Sequence, residues 1–551
     1  MALTADQTAF SRMRIDRLMR DKTKATRDRT IAVWAQILEF EVLAGTNFMS
    51  SIDGTVYVFW GATRQIMPLS SAKRTEHVFA YLNAMYGLVD SEPVTRFVLN
   101  SLIGYAMTNA PKMELRRFAV FNGIEKVVYL SNHDGHMWRI DGGTPALINN
   151  GDEEVFFADD EGGVSTNADV GPHGILIDRL TDINFAETGL GGITPEQQRR
   201  AFIVWMFALA FPDFMPTKPM LIIEGAPGSG KSACVQLLQI ALLGASKPLI
   251  LSKNKGDDFG VQLLRAPIAV LDNVDSYIDW IPDTVCAYAT TGCWTKRKLY
   301  SDAEEVVIRP HSFIAVASKN PTSFRREDTA DRCVVLRLER LSGFTRFEKL
   351  TADIIAARPQ LFGEYIYYVN EIVEYMRVHG TDIECEEKTR MADFAAFGRA
   401  VAAVLHWPNE AISELMAAIG SERDAFIREE DPLSDLLLLW LAMPRNTGRE
   451  VTASELFNGL RPIAESNHID FYKSARTLTQ KLRSPHIVNE FIIDPIVRNK
   501  RTSYCIWKKT DARLTVVDGG ASPANGGPPS GAKAPSDNSE ILFGIVRDNP
   551  V

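Results

Sequence analysis

Residues 219–244 read PMLIIEGAPGSGKSACVQLLQIALLG, in which a glycine-rich segment separates two apolar stretches. The first stretch is typical of a buried β-strand, and the second is typical of a helix. Between them, G-x-x-x-x-G-K-S is the pattern of a loop whose backbone N–H groups bind phosphates. Its glycines allow positive φ angles and close backbone approach. The predicted nucleotide-binding residues are Gly225, Ala226, Pro227, Gly228, Ser229, Gly230, Lys231 and Ser232.

Two residues of this segment have distinct predicted roles. The Lys231 ammonium would reach the β- and γ-phosphates of ATP, and the Ser232 hydroxyl would bind Mg²⁺. A second metal-binding group is expected at the end of a neighbouring buried strand. The run PIAVLD supplies Asp272 there, and its carboxylate would hold Mg²⁺ through water. ATP and Mg²⁺ are therefore the predicted cofactors.

The residue after Asp272 departs from the pattern of many ATPases. Where they place a glutamate that polarises the attacking water, this chain has Asn273. An amide can orient water but cannot accept its proton, so hydrolysis is expected to be slow or to depend on a partner. Asp275 and Asp279 are the alternative bases.

A further strand end and an arginine complete the predicted catalytic set of Lys231, Asp272, Asn273, Asn320 and Arg332. The strand SFIAVA leads to Asn320, which would touch the γ-phosphate or the attacking water; a simple Asn-Pro turn is the alternative. Arg332 stands immediately before the next strand. From there its guanidinium could stabilise charge on the γ-phosphate of a neighbouring subunit. The alternative is an intramolecular pair with one of two nearby carboxylates, Asp328 or Asp331.

The order of these motifs from Gly225 to Arg332 resembles superfamily III helicases of the AAA+ class, including poxvirus-type primase-helicase ATPase domains. It is most similar to the helicase-like ATPases of phages, prophages and integrative mobile elements. The resemblance covers about residues 195–345. It implies a homo-oligomeric ring, expected to be a hexamer, with ATP at subunit boundaries and single-stranded DNA in the pore. The part of the chain before this range shows no obvious primase carboxylate triad, so primer synthesis is not implied.

In that family the segment between the aspartate strand and the asparagine strand is a DNA-contacting hairpin. The candidate DNA contacts at this position are Lys296, Arg297, Lys298 and Tyr300. Three consecutive cations beside an aromatic ring suit a phosphate backbone and a stacked base. A solvated basic turn is the alternative.

The C-terminal part has its own DNA-binding pattern. A capping box at Thr452 and Glu455 opens one helix, a second helix is predicted over residues 472–483, and the strand-like runs IVNEFII and TSYCIWKK flank a basic wing. The predicted DNA contacts are Lys473, Arg476, Lys481, Arg498, Lys500 and Arg501. A protein partner is the alternative for such a domain. The apolar C-terminal tip, ILFGIVRDNPV, could dock on replication proteins or be an unselected end.

The length and composition of the chain limit these interpretations. The 551 residues exceed one hydrophobic core, and 46% hydrophobic with 23% charged residues is ordinary for a globular protein. The net charge of −9 argues against binding nucleic acid over the whole surface, but residues 11–30 hold eight basic and three acidic residues. No apolar run suits a membrane span, so no membrane partner is expected. Scattered cysteines favour the cytoplasm of a bacterium or a phage-infected host cell.

The predicted fold class is α/β, with a P-loop AAA+-like parallel-sheet ATPase core. The expected domains are a basic helix with an α+β domain (1–172), the ATPase (173–345), a helical connector (346–433), a winged-helix-like domain (434–515) and a disordered tail (516–551).

The leading hypothesis for function is an ATP-dependent DNA helicase or translocase that replicates a phage or mobile element on single-stranded or forked DNA. The first alternative is an ATP-switched origin-binding initiator or a defence-type AAA+ ATPase with weak hydrolysis, which Asn273 favours. The second alternative is a DNA-packaging or partition ATPase, which would prefer double-stranded DNA.

Overall fold

The computed structural model describes residues 5–509 apart from 51–55, 70–74, 112, 114, 159–162, 189–191, 247, 250–258, 261–262, 264–265, 292–293, 298–304, 309–310, 382–388, 430–431, 467–468, 470 and 499–500. The chain divides into two compact units, residues 1–431 and residues 432–551. The predicted tail, residues 516–551, lies outside the described residues.

Among the residues described, the N-terminal part of the chain combines four helices with a small antiparallel sheet. The elements are α1 (Ala5–Arg20), α2 (Thr26–Leu43), β1 (Asn47–Ser50), β2 (Val56–Trp60), β3 (Gln65–Pro68), α3 (Thr75–Tyr86) and α4 (Pro93–Asn109). Strand β2 is central in the sheet, and all five of its residues are buried. Its apolar side chains, such as Val58 and Trp60, join those of α2 and α3 in one core.

A second antiparallel sheet follows in chain order. Its strands are β4 (Ala119–Asn122), β5 (Val127–Ser131), β6 (His136–Ile140) and β7 (Ala146–Asn149), and each pairs with the next. The turn between β5 and β6 needs left-handed backbone, which His133 (φ 59°) and Gly135 (φ 83°) adopt. Apolar residues on one face of this sheet, including Phe121 and Leu130, belong to the same core as the central sheet described next.

The central sheet is parallel and five-stranded, in the order β14-β8-β13-β10-β9. The strands of this region are β8 (Met220–Gly225), β9 (Pro248–Leu249), β10 (Ile268–Asp272), β11 (Trp294–Arg297), β12 (Glu305–Ile308), β13 (Phe313–Ser318) and β14 (Cys333–Leu338). Strands β8, β10 and β13 each begin with at least four consecutive apolar residues, because helices cover both faces of the sheet. The predicted α/β class with a parallel sheet is confirmed.

Eight helices of the described residues surround this sheet or extend from it. They are α5 (Leu176–Leu180), α6 (Pro195–Ala208), α7 (Lys231–Leu243), α8 (Trp280–Thr291), α9 (Glu327–Ala330), α10 (Phe347–His379), α11 (Ala392–Val404) and α12 (Ala411–Arg428). Helix α6 starts with a capping box between Thr194 and Gln197 and is buried over its last two turns. Tyr365 of α10 stacks on Phe207 of α6, which joins the long helix to the core. None of the helices that the structure describes could cross a membrane.

In the described residues of the second unit, four helices pack against a three-stranded antiparallel sheet. Its elements are α13 (Leu433–Leu441), β15 (Val451–Thr452), α14 (Ala453–Ser466), α15 (Ala475–Lys481), α16 (Pro485–Glu490), β16 (Phe491–Arg498) and β17 (Arg501–Lys508). The predicted capping box is present, since Glu455 N–H donates to Thr452 Oγ1 and Thr452 N–H donates to the Glu455 carboxylate. The strand predicted over residues 487–493 was wrong in its first half. Ser484 and Pro485 start a helix there, and β16 begins only at Phe491.

Candidate nucleotide-binding site

The glycine-rich segment forms the turn between β8 and α7. Gly228 (φ 84°) and Gly230 (φ 83°) have left-handed backbone that other residues adopt only under strain. A methyl group on Gly225 would lie 2.6 Å from the Leu338 carbonyl oxygen, so a side chain cannot fit there. The N–H groups at the start of α7 follow directly after this loop, and a helix N-terminus with a glycine loop is a site that favours anions.

Three predicted site residues meet at this end of the sheet. Ser232 Oγ donates a hydrogen bond of 2.8 Å to Asp272 Oδ1, and Lys231 Nζ donates to the Ala226 carbonyl oxygen at 3.1 Å. Partial burial lowers the pKa of Lys231, while Asp275 and Asp272 oppose that shift. A hydroxyl and a carboxylate are the hard oxygen donors that Mg²⁺ prefers, so this pair fits the predicted metal.

Asp275 is held by hydrogen bonds on the same edge of the sheet. Its Oδ1 accepts from Ser318 Oγ at 2.5 Å and from the N–H groups of Lys319 at 2.8 Å and Asn320 at 3.2 Å. The Ser318 bond is the main cause of its lowered pKa. A carboxylate stabilised in this way is a weak proton acceptor, so its contacts favour a role in positioning the loop after β13.

The backbone conformation at position 273 gives a reason for an asparagine there. Its φ of 58° is in the left-handed region, which asparagine adopts more readily than most residues, and its N–H donates to the Ala317 carbonyl oxygen at 2.9 Å. Asn273 and Asn320 are both exposed, and they follow the neighbouring parallel strands β10 and β13. Both amides are therefore at the strand-end edge that also carries Asp272.

The Arg332 side chain is directed into its own chain. It is 8% exposed, and its Nη1 donates to the Asp328 carbonyl oxygen and lies 3.8 Å from Cys286 Sγ. The two carboxylates considered from the sequence have other arginine partners. Asp328 pairs with Arg326 at 2.6 Å, and Asp331 pairs with Arg423 at 2.9 Å. This placement favours an intramolecular role; contact with a neighbour's phosphate would require the guanidinium to leave Asp328.

Sequence reasoning missed a buried charge network directly behind the glycine-rich loop. Glu224, the residue before Gly225, pairs with Arg325 at 2.9 Å and with Arg337 at 3.2 Å. Arg337 also contacts Glu422 at 2.6 Å and Glu429 at 2.7 Å. Burial raises the pKa of both Glu224 and Glu422. The sequence contained one clue to this network, a charged residue in each of two otherwise apolar strands, β8 and β14. Such residues indicate a buried ion pair, because buried charges need partners.

The first group of candidate DNA contacts lies partly outside the described residues. Strands β11 and β12 form the expected antiparallel hairpin, with Lys296 opposite Val306 and Arg297 opposite Glu305. Lys298 and Tyr300 lie outside the described residues, and so do the side chains of Lys296 and Arg297.

The second group lies on α15, on the segment just before it and on the hairpin of β16 and β17. Lys473 and Arg476 are exposed, while Lys481 is half-buried. The Arg498 side chain is 73% exposed and lies 3.8 Å from the Glu450 carboxylate. Arg501 is its cross-strand neighbour, and Lys500 falls outside the described part of the chain.

Comparison with known proteins connects the central part of the chain with mobile-element replication. Residues 187–410 match the family described as the actinomycete integrative conjugative element replication protein. This range contains the glycine-rich loop, Asp272, Asn320 and Arg332, and it is less than half of the chain. The match agrees with the resemblance to mobile-element proteins noted from the motifs. No curated protein matches the chain significantly.

Among solved structures, the chain is similar to the apo structure of the NrS-1 C terminal region. The TM-score is 0.38 at 10% identity, and the similarity covers 85% of this chain and 98% of that one. The A form apo structure of the same region gives a TM-score of 0.37 with the same identity and coverage.

Proposed function

We propose that the protein is an ATP-dependent DNA helicase or translocase that replicates a mobile genetic element. One contact supports the nucleotide site above all, the 2.8 Å hydrogen bond from Ser232 to Asp272 beside Lys231. A hydroxyl, a carboxylate and an ammonium group at the carboxyl edge of a parallel sheet are what a nucleoside triphosphate with Mg²⁺ requires. The family match of residues 187–410 supports the role in replication.

Each group has one task in this proposal. The loop N–H groups and Lys231 bind the phosphates, and Ser232 and Asp272 hold Mg²⁺, the latter through water. When bound, Mg²⁺ neutralises charge that develops on the transferred phosphoryl group. Asn273 and Asn320 orient the attacking water, which neither amide can deprotonate.

The proposed ligand besides ATP is single-stranded or forked DNA, and the proposed assembly is a homo-oligomeric ring, with a hexamer expected. The basic residues of the β11–β12 hairpin and of α15 support DNA binding, since cations supply most of the affinity for a phosphate backbone. Residues 11–30 add a further basic segment on α1 and the start of α2. The apolar C-terminal tip, ILFGIVRDNPV, is the proposed docking segment for replication proteins.

The direct test is ATP hydrolysis by the full-length protein during a titration with single-stranded DNA, followed by unwinding of a forked duplex. We expect DNA to stimulate hydrolysis and Lys231→Ala to abolish it. Lys349→Ala, which removes an exposed lysine of α10, is the matched control and should keep wild-type activity. A rate of ATP hydrolysis that does not change with DNA, or full activity in Lys231→Ala, contradicts the proposal. A preference for double-stranded DNA would instead indicate a packaging or partition ATPase.

An ATP-switched origin-binding initiator, or a defence-type ATPase with weak hydrolysis, is the second candidate. Asp275 favours it, because three hydrogen bonds to Oδ1 make this carboxylate a poor base. Asn273 cannot take over that role. A single-turnover experiment separates the two candidates: a switch protein binds ATP and assembles on DNA while the nucleotide stays largely unhydrolysed.

A further inference from the structure

The chain segment after β14 lies on the glycine-rich loop. Leu341 N–H donates to the Gly228 carbonyl oxygen at 3.2 Å, and Glu339 N–H donates to the Asn184 carbonyl oxygen at 2.9 Å. Leu341 Cδ1 would lie 3.6 Å from a methyl group placed on Gly230. Backbone and side-chain contacts therefore hold this segment against the loop.

Two further side chains of the segment reach the loop at Gly228. A methyl group on the Gly228 Cα would lie 3.1 Å from Phe344 Cζ and 3.7 Å from Arg340 Nε. Phe344 is nevertheless 67% exposed, so much of its ring surface is open beside the loop. Arg340 is exposed as well. An open aromatic ring and a cation thus lie at the turn that the phosphates of a nucleotide would contact.

We propose that Phe344 stacks on the base, and Arg340 binds a phosphate oxygen, of the nucleoside triphosphate that the loop holds. This inference rests on the proposed function. A base is separated from its phosphates by one ribose, so a ring touching the loop is within its reach. Aromatic side chains bind bases through their faces, and guanidinium groups form strong charge-assisted hydrogen bonds with phosphate. The site is therefore selective for a nucleoside triphosphate over inorganic polyphosphate.

The test compares two ligands on the full-length protein by isothermal titration calorimetry, ATP and inorganic tripolyphosphate, each with Mg²⁺. We expect Phe344→Ala to weaken ATP binding about ten-fold or more, as loss of one stacked base does, and to leave tripolyphosphate binding unchanged. Phe344→Trp keeps an aromatic face and should retain ATP binding. Arg340→Ala should weaken both ligands because both present phosphate oxygens.

Phe347→Ala is the matched control, because Phe347 is also exposed but starts α10, further along the chain from the loop contact. It should leave both affinities unchanged. Wild-type ATP affinity in Phe344→Ala, or equal loss of both ligands in that variant, overturns the stacking role while leaving the nucleotide site intact. Equal weakening of ATP by Phe344→Ala and Phe344→Trp also overturns it, and wild-type tripolyphosphate affinity in Arg340→Ala overturns the phosphate contact. Failure of the wild-type protein to bind ATP would refute the proposed function itself.

Discussion

Ser232 at the start of α7 donates a 2.8 Å hydrogen bond to Asp272 at the end of β10. The two residues are 40 positions apart in the chain, yet only β13 separates β8 from β10 in the sheet. Because the strands are parallel, their carboxyl ends share one edge, and groups that follow different strands come together there.

This contact predicts a metal-dependent effect of Asp272→Asn. The amide keeps an oxygen that can accept from Ser232, but it loses the charge that would hold Mg²⁺ through water. We expect the Mg²⁺-dependent gain in ATP affinity to fall about 10- to 100-fold, as for other residues that bind a metal indirectly. Titration of ATP with and without Mg²⁺ measures the gain. Lys349→Ala, at an exposed lysine of α10, is the control, and an unchanged gain in Asp272→Asn would argue against this metal site.

The hydrogen bonds of Asp275 predict that Asp275→Asn remains active. Its amide oxygen can still accept from Ser318 and from the N–H groups of residues 319 and 320, so the loop after β13 keeps its position. Steady-state ATP hydrolysis should fall by less than about ten-fold. A general base contributes about 100- to 10,000-fold, so a loss in that range would instead identify Asp275 as the base.

The network behind the loop predicts a pH-dependent loss of stability in Arg337→Met. Removing this guanidinium takes a partner away from three carboxylates, those of Glu224, Glu422 and Glu429. Arg325 still contacts Glu224 and Glu429, and we expect about 3–5 kcal/mol of destabilisation at pH 7. Burial raises the pKa of Glu224 and Glu422 in the folded protein above the value of a free carboxyl group. The folded state therefore loses stability as the pH rises through these folded-state pKa values and both groups become charged. The loss in Arg337→Met should therefore be smaller at pH 5 than at pH 7.

Chemical denaturation of wild type and variant at both pH values measures this difference. Arg346→Ala is the control, because its pair with Glu348 is highly exposed and should contribute less than about 1 kcal/mol at either pH. An equal loss in Arg337→Met at pH 5 and pH 7 would show that the carboxylates do not titrate as described.

The buried position of Arg332 predicts a structural effect of Arg332→Ala. The Asp328 carbonyl oxygen loses a donor, which should lower the free energy of unfolding by about 1–3 kcal/mol. Mixing Arg332→Ala with Lys231→Ala protein then distinguishes the two roles. If Arg332 acts within its own subunit, the mixture has no more ATPase activity than its components. Recovered activity would show that one subunit supplies Arg332 to the site of its neighbour.

Two exposed bases, Lys473 just before α15 and Arg476 on α15, predict a salt-dependent effect of the double variant Lys473→Ala with Arg476→Ala. Binding to single-stranded DNA should weaken, and the slope of log affinity against log salt should decrease by about 0.7 for each lost phosphate contact. Fluorescence anisotropy at several salt concentrations gives both quantities. Arg461→Ala, in the same unit but paired with Glu465, should change neither. An unchanged slope in the double variant would support the protein-partner interpretation of this unit.

The parts of this protein that were predictable from the sequence are those with local patterns. The glycine-rich loop between strand and helix, the parallel sheet and the capping box at Thr452 depend on residues close together in the chain. A period of hydrophobicity or a required φ angle specifies such features without knowledge of strand order. One local pattern was misinterpreted, that of residues 487–493. Ser484 and Pro485 are typical of a helix start, but the apolar run after them was interpreted as a strand.

Only the tertiary structure decided which side chains meet. Arg332 could have faced a neighbour or its own chain, and packing against Asp328 and Cys286 directs it inward. Glu224 and Glu422 are far apart in the chain, and Arg337 joins them because β14 pairs with β8 and α12 packs against it. The sequence by itself determined the chemical groups of the site and the elements that carry them. Their partners depended on strand order and helix packing, since long-range contacts leave no periodic signal in the chain.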